Sequence, residues 1–386
     1  MSVRIAGEGI ADSNVSTDLA RIARAAVRQA TSAVSDPSLV FAFVSGGNPR
    51  TANHDALLKV AYELRVQAPS SVLVVSDAPG VLAGAVERES TPAVSVLAFD
   101  ASVMRARLST LALDAPRDTH TRAVTEALGA VPEGARSARL GVAILAPDTH
   151  TTEAITGLVK RSLPPIVGAG TALVVAAQPG REPSPCSAAM LTLATSLGVT
   201  IAASPASRLV TPWMKVDAMD GAFVLRAGGR PMLDIVTEHA GGSTPQDTLL
   251  IALRGPDDNA PPLLRSIAGA DPSRGAVAVG DVLPRDAQIA LAVRDPETAR
   301  RDLVTRLAAM SRGLAGGTPA AALLFTCAGR GSRFFRRADV DAGIVRSRFP
   351  SLPTAGMQSA FELAPWGDTT RIHLYAAACT LFYRPS

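Results

Sequence analysis

A pattern that occurs three times limits most strongly what this chain can fold into. A short, wholly apolar run is followed by a polar loop, a helical periodicity, a proline and a second short apolar run. The first copy is Leu39–Val44, the loop Ser45-Gly46-Gly47-Asn48-Pro49, a helix over roughly Asp55–Val66, Pro69 and Val72–Val75. The second is Leu140–Leu145, the loop Pro147-Asp148-Thr149-His150, a helix over Thr152–Ser162, Pro164-Pro165 and Ile166-Val167-Gly168. The third is Leu323-Leu324-Phe325, the turn Cys327-Ala328-Gly329-Arg330-Gly331, a helix over Asp339–Phe349 ended by Pro350, and Leu352–Ala355 with Gly356 behind it. Short apolar runs without alternation suit strands buried on both faces, so the recurrence reads as an internal repeat of one α/β unit. Open α/β sheets place ligands beyond their strand ends. Two loops from each unit are therefore expected to line a common cleft.

The fold class expected is α/β: mixed sheets with packed helices, in two related halves built from repeated strand-loop-helix-strand units. The chain has 386 residues, which suits two domains at roughly 150 residues each. Aromatic residues are scarce, so the core should be aliphatic. Residues 1–16 read as a strand-poor lead-in. Gly7-Glu8-Gly9 lacks the preceding strand and third glycine of a dinucleotide loop. Asp18–Val34 is an amphipathic helix with Leu19, Ile22, Ala26, Val27 and Ala30 on one face. Gly228-Gly229 signals a hairpin, and Pro231 and Pro296 suit first helical positions, with Asp295 as an N-cap. Gly241–Pro245 reads as a linker and domain boundary, and Asp257–Asp271 as a surface loop.

Composition excludes several functions. The net charge of +4 comes from scattered arginines, densest between Arg330 and Arg348, without the basic face that nucleic acid requires. Cys186, Cys327 and Cys379 are an odd, widely spaced set, as in a reducing cytoplasm. No signal-peptide core stands at the start, and no apolar run approaches the ~20 residues of a membrane span. Phosphate-loop, nucleophile-elbow and paired-cysteine motifs are missing. Asp118-Thr119-His120 and Asp148-Thr149-His150 stand where helices begin, which favours capping over metal binding. Nothing marks His54, His239 or His373 as a haem ligand.

The chemistry concentrates in the third copy. Gly329 and Gly331 allow a close backbone approach. Cys327 reads as a packed thiol, a ligand contact or a nucleophile; no histidine in its motif would activate it. Arg330 and Arg208 are candidates to grip a carboxylate or phosphate, or to tie loop carbonyls together. Glu362 can take an amino group or pair with one of those arginines.

The turn Cys327-x-Gly329-Arg330-Gly331 resembles the C-x-G-R-G turn of the FIST family (F-box and intracellular signal-transduction proteins). Of a later Gly-Phe-x-x-Asn-Gly-Glu-Ile-like segment, Gly356 and Glu362 remain, with Ala360 and Phe361 in place of Asn and Gly. Arg208–Trp213, Gly228–Asp234 and Arg294–Arg300 resemble further family segments, as do Gly80–Gly84 and Pro92–Ser95. The resemblance implies a FIST N-like part at 17–240 and a FIST C-like part at 246–386. It implies a cytoplasmic sensor or signal-transduction module for a small ligand, an amino acid or other small anion, with a separately encoded signalling partner. Arg208, Thr211, Cys327, Gly329, Arg330, Gly331, Gly356 and Glu362 would be the ligand-binding residues, with no catalytic or metal-binding residue and no cofactor. An interaction scaffold, a Cys-dependent enzyme and a haem-based gas sensor stand as alternatives.

Overall fold

The computed structural model describes residues 5–16, 18–46, 54–116, 120–135, 139–146, 164–240, 249–255, 260–280, 283 and 287–386, without the side chains of residues 120 and 121. The fold is mixed α/β. Each apolar run of the repeat is a strand, and within each copy the two runs pair in parallel: Leu39 with Val72, Gly141 with Ile166, and Leu323 with Ala355. Every parallel pair carries an antiparallel return strand on its other side: Pro92–Asp100, Ala188–Thr195 and Ala376–Arg384. A first strand borders each return strand: Ala6–Asp12, Met104–Leu111 and Gly198–Pro205. Three six-stranded sheets of like order result.

The units interlock. After its second parallel strand, each unit sends a hairpin to another unit's sheet. Gly80–Glu89 of the first pairs with Thr354–Ser359 of the third, through Ala83 and Ala355. Val174–Cys186 of the second pairs with Val72–Asp77 of the first. Glu362–His373 of the third pairs with Ile166–Gly170 of the second. The exchange is cyclic.

Alternation along the strands sorts the core into layers. Phe41, Phe43, Val142, Ile144, Leu323 and Phe325 face a shared centre. Val40, Ala42 and Val44 face the helices Leu19–Thr31 and His54–Gln67, and Ala322 and Leu324 face the helices Pro296–Arg312 and Val340–Arg348. The core is not simply aliphatic. Five phenylalanines gather at the centre, where Phe43 meets Phe325 edge-on at 5.8 Å and Phe99 meets Phe382 at 5.0 Å. Edge-on packing suits aromatic quadrupoles.

Two expectations are corrected. The lead-in contains the strand Ala6–Asp12. Its glycines serve helix packing: a Cβ on Gly9 would lie 1.9 Å from the Ala26 carbonyl oxygen, and one on Gly7 2.0 Å from that of Ala30. Within the supposed loop 257–271, Leu263–Asp271 is a strand, and Leu263 pairs with Leu253. Asp and Gly suggested a loop there, but cross-strand packing decides strand formation.

That strand belongs to an insertion between the first strand and first helix of the third unit. Six strands, Gln288–Arg294, Met214–Asp220, Phe223–Ala227, Ala276–Val279, Leu263–Asp271 and Leu250–Leu253, pair antiparallel in that order and close on themselves. Val224, Ile251, Val277 and Ile289 fill this small barrel, and the helix Met232–His239 adds Met232 and Ile235. Gly228 and Gly229, both at positive φ, turn the expected hairpin. The boundary read at Gly241–Pro245 lies outside the described residues, and strands on both sides of it join this ring.

Candidate functional site

The ends of the second parallel strands meet. Asp77 closes the first unit's strand, and its Oδ1 accepts from Thr171 Oγ1 at 2.6 Å and Leu173 N at 2.5 Å, just past the second unit's strand. Gly170 N donates to Phe361 O and Ala360 N to Gly170 O, both at 2.9 Å, which joins the second unit to the third. A Cβ on Gly80 would stand 2.7 Å from Gln358 Oε1, where the third meets the first. Residues 47–49 of the first expected loop, the whole of the second at Pro147–His150 and the helix expected at Thr152–Ser162 lie outside the described residues, as do Asp118 and Thr119. The third unit's turn at Cys327 is fully described.

Arg330 points inward from that turn and is 1% exposed. Its Nε and Nη2 donate to Asp341 Oδ2 and Oδ1 at 2.9 and 2.8 Å, Nη1 donates to Ser204 O at 3.2 Å, and the Phe335 ring centre lies 5.5 Å away. The planar fork is committed to its own helix start, as a bidentate pair. Arg330 therefore clamps the turn, the Val340–Arg348 helix and the Gly198–Pro205 strand. Arg208 lies outside this interior: its side chain is 57% exposed and 3.9 Å from Asp295 Oδ2. The two arginines do not face one hollow.

Glu362 is buried beside the clamp, where its carboxyl accepts from Ser359 Oγ at 2.8 Å and Ala376 N at 3.3 Å. Burial raises its pKa well above the usual carboxylate range, against these hydrogen bonds. Burial, then the nearby Glu362 carboxyl, pushes the Cys327 thiol up to about 11. A thiol so raised is a poor nucleophile at neutral pH. Cys327 Sγ instead accepts from Gly329 N at 3.5 Å and helps fold the turn.

The glycines of the turn admit protein groups. A Cβ on Gly331 would lie 2.7 Å from Glu89 Oε2, and one on Gly329 3.1 Å from Arg294 Nη2. Glu89 comes from the first unit's hairpin and accepts from Ser332 N at 2.7 Å and Ser332 Oγ at 2.9 Å. Glu87 of the same hairpin accepts from Ala342 N at 2.9 Å. Burial, and then Asp341 nearby, raises Glu87 to about 8. Gly356 is a matter of strand spacing, since a Cβ there would meet Leu324 O at 1.7 Å. Thr211 Oγ1 accepts from Leu291 N at 2.9 Å and holds the edge of the barrel.

Arg294 was not among the expected site residues, yet it reaches this turn. It sits between the rings of Phe334 and Tyr375, at 4.6 and 5.0 Å, and its Nη2 donates to Gly329 O. Its Nε is buried without a hydrogen-bond partner. Among the described residues no carboxylate lies within ion-pair distance of it. The sequence signal was its place at the head of the Arg-Asp-Pro-Glu segment, next to the N-cap Asp295. His373 pairs across the hairpin with Glu362 and is fully buried; burial lowers it to about 3, so the ring is neutral.

Residues 232–365 match the family model of the FIST C domain. Two uncharacterized proteins, of Mycobacterium tuberculosis and Mycobacterium bovis, are each 34% identical to this chain over 183 and 184 residues. Each alignment covers 43% of this chain and 46% of the relative, so the chain spans about half the length of the curated relatives it matches. Among solved structures, a chorismatase aligns over 99% of both chains at 10% identity and a TM-score of 0.32. A cyanuric acid hydrolase from A. caulinodans aligns over 50% of this chain and 71% of its own, at 13% identity and a TM-score of 0.25. Likeness this low carries no conclusion about architecture or activity.

Proposed function

We propose that this chain is a small-ligand sensor in signal transduction, and that it receives an anion, an amino acid or related carboxylate, beside Arg294 at the Cys327–Gly331 turn. One observation supports this above others. Arg294 is a half-buried guanidinium held between two rings, with no carboxylate of the described residues in reach and its Nε buried and unpartnered. A buried donor left unmade costs about 1–3 kcal/mol, more when charged, and an incoming carboxylate relieves that cost. Burial raises both the Glu362 carboxyl and the Cys327 thiol nearby, which disfavours their anionic forms.

Arg330 acts here as the strut that fixes the turn rather than as the grip. A ligand drawing on Arg294 loosens its bond to Gly329 O. The turn, the clamp to Asp341 and the hairpin carrying Glu87 and Glu89 are then the route of the response. A separately encoded protein receives the signal. The reduced, unpaired state of Cys186, Cys327 and Cys379 suits a cytoplasmic setting. Among the described residues no helix is long and apolar enough to cross a membrane.

Thermal denaturation against a panel of amino acids and metabolite carboxylates tests the reading. A ligand at ~100 times its dissociation constant adds about 2.7 kcal/mol. We expect stabilisation that Arg294→Ala abolishes and Arg208→Ala leaves in place. A panel without effect, together with a partner recovered by pull-down, would favour an interaction scaffold instead.

A further inference from the structure

At the opposite, N-terminal end of the Leu140–Leu145 strand lies a hollow of about 450 Å³. Arg105, Gly134, Arg139 and Ala194 line it, with Ser102 and Ser196 at its edge. Arg105 stands opposite Ala194 in the ladder. Arg139 precedes Leu140, the partner of Leu193, and donates its N–H to Leu193 O at 2.7 Å. The two arginines therefore flank Ala194 from both neighbouring strands, on one face of the sheet, with only a methyl group between their stems.

The site has built features. Arg105 Nη1 donates to Gly134 O at 3.0 Å. Gly134 has a φ of +71°, and a Cβ there would lie 2.5 Å from Arg105 Nη1, so the glycine makes room for the guanidinium. Among the described residues no carboxylate lines the hollow, and none lies within ion-pair distance of either arginine. The two are exposed and stand two strands apart, on either side of Ala194.

We infer that this hollow is a binding site for a phosphate monoester dianion, separate from the turn at Cys327. Two forked guanidiniums match the charge and the oxygen geometry of a phosphoryl group. The volume falls in the range of small-ligand sites and leaves room for the body of a small phosphorylated metabolite. The inference does not depend on the ligand assigned to Arg294.

Phosphorus NMR titration of the full chain tests it, with glycerol 3-phosphate as probe and chloride at equal ionic strength as control. Saturable binding is expected, weakened about tenfold or more by Arg105→Ala and by Arg139→Ala. Ala194→Leu keeps both charges and fills the floor; it should block binding while melting like the parent. Arg294→Ala should bind the probe normally. The site is refuted if the parent gives no saturable response, or if chloride abolishes it equally. It is also refuted if the Arg105→Ala, Arg139→Ala double variant binds as the parent does. Should that double variant misfold, Arg105→Lys with Arg139→Lys keeps the charge but loses the forks; unchanged affinity there overturns the proposal too.

Discussion

Arg330 shows what one residue's surroundings decide. The sequence marks it through its place between two glycines, and its type allows either a ligand grip or a structural tie. Its partner Asp341 lies at the start of a helix, and no spacing rule reveals a bidentate pair that exists only once the turn folds back. The consequence is specific. Arg330→Ala leaves the buried Asp341 carboxyl without its partner, and breaking such a pair costs about 3–5 kcal/mol. Urea denaturation should show a loss of that size; a loss under about 1 kcal/mol would mean that the pair does not hold the turn. Arg294 presents the converse. Its type and motif were legible, but the rings of Phe334 and Tyr375 that confine it are 40 and 81 positions further along the chain by numbering.

Among elements, those with local signals were the most legible. The Leu19–Thr31 helix has its Asp18 cap, and the Pro296–Arg312 helix its Asp295 cap with proline behind it. The hairpins were harder to see, because each completes a sheet of another unit and its neighbours are remote in sequence. Gly7 and Gly9 hid the first strand, and the closed barrel depends on pairings between distant segments. The Gly80–Glu89 hairpin carries a titratable group into the third unit. Glu87 is raised from 4.5 to about 8 in the fold. A raised carboxyl binds its proton more tightly folded than unfolded, so its contribution favours folding at low pH and is lost as pH climbs from about 4.5 to about 8. The loss should be on the order of a few kcal/mol. Glu87→Gln keeps an acceptor for Ala342 N and removes the titration. Melting temperatures measured from about pH 5 to about pH 9 should fall less steeply for the variant than for the parent. Equal slopes would show that Glu87 ionises freely in the fold.

At the scale of the molecule, the threefold recurrence of paired parallel strands was visible because it rests on short apolar runs, the strongest sequence signal. The cyclic exchange of hairpins left no such trace. It makes the units depend on one another: without residues 1–100 the Thr354–Ser359 strand loses its partner Gly80–Ala83 and becomes an open edge. A fragment of residues 198–386 is therefore expected not to melt cooperatively by circular dichroism. A sharp transition would show that the third unit folds unaided.

The response proposed for the whole molecule starts at one guanidinium. Isothermal titration of the parent and Arg294→Ala with the most stabilising carboxylate of the panel is its most direct test. Saturable binding that weakens about tenfold or more in the variant, with its fold intact, is the predicted result. Equal affinity in the two proteins would contradict it.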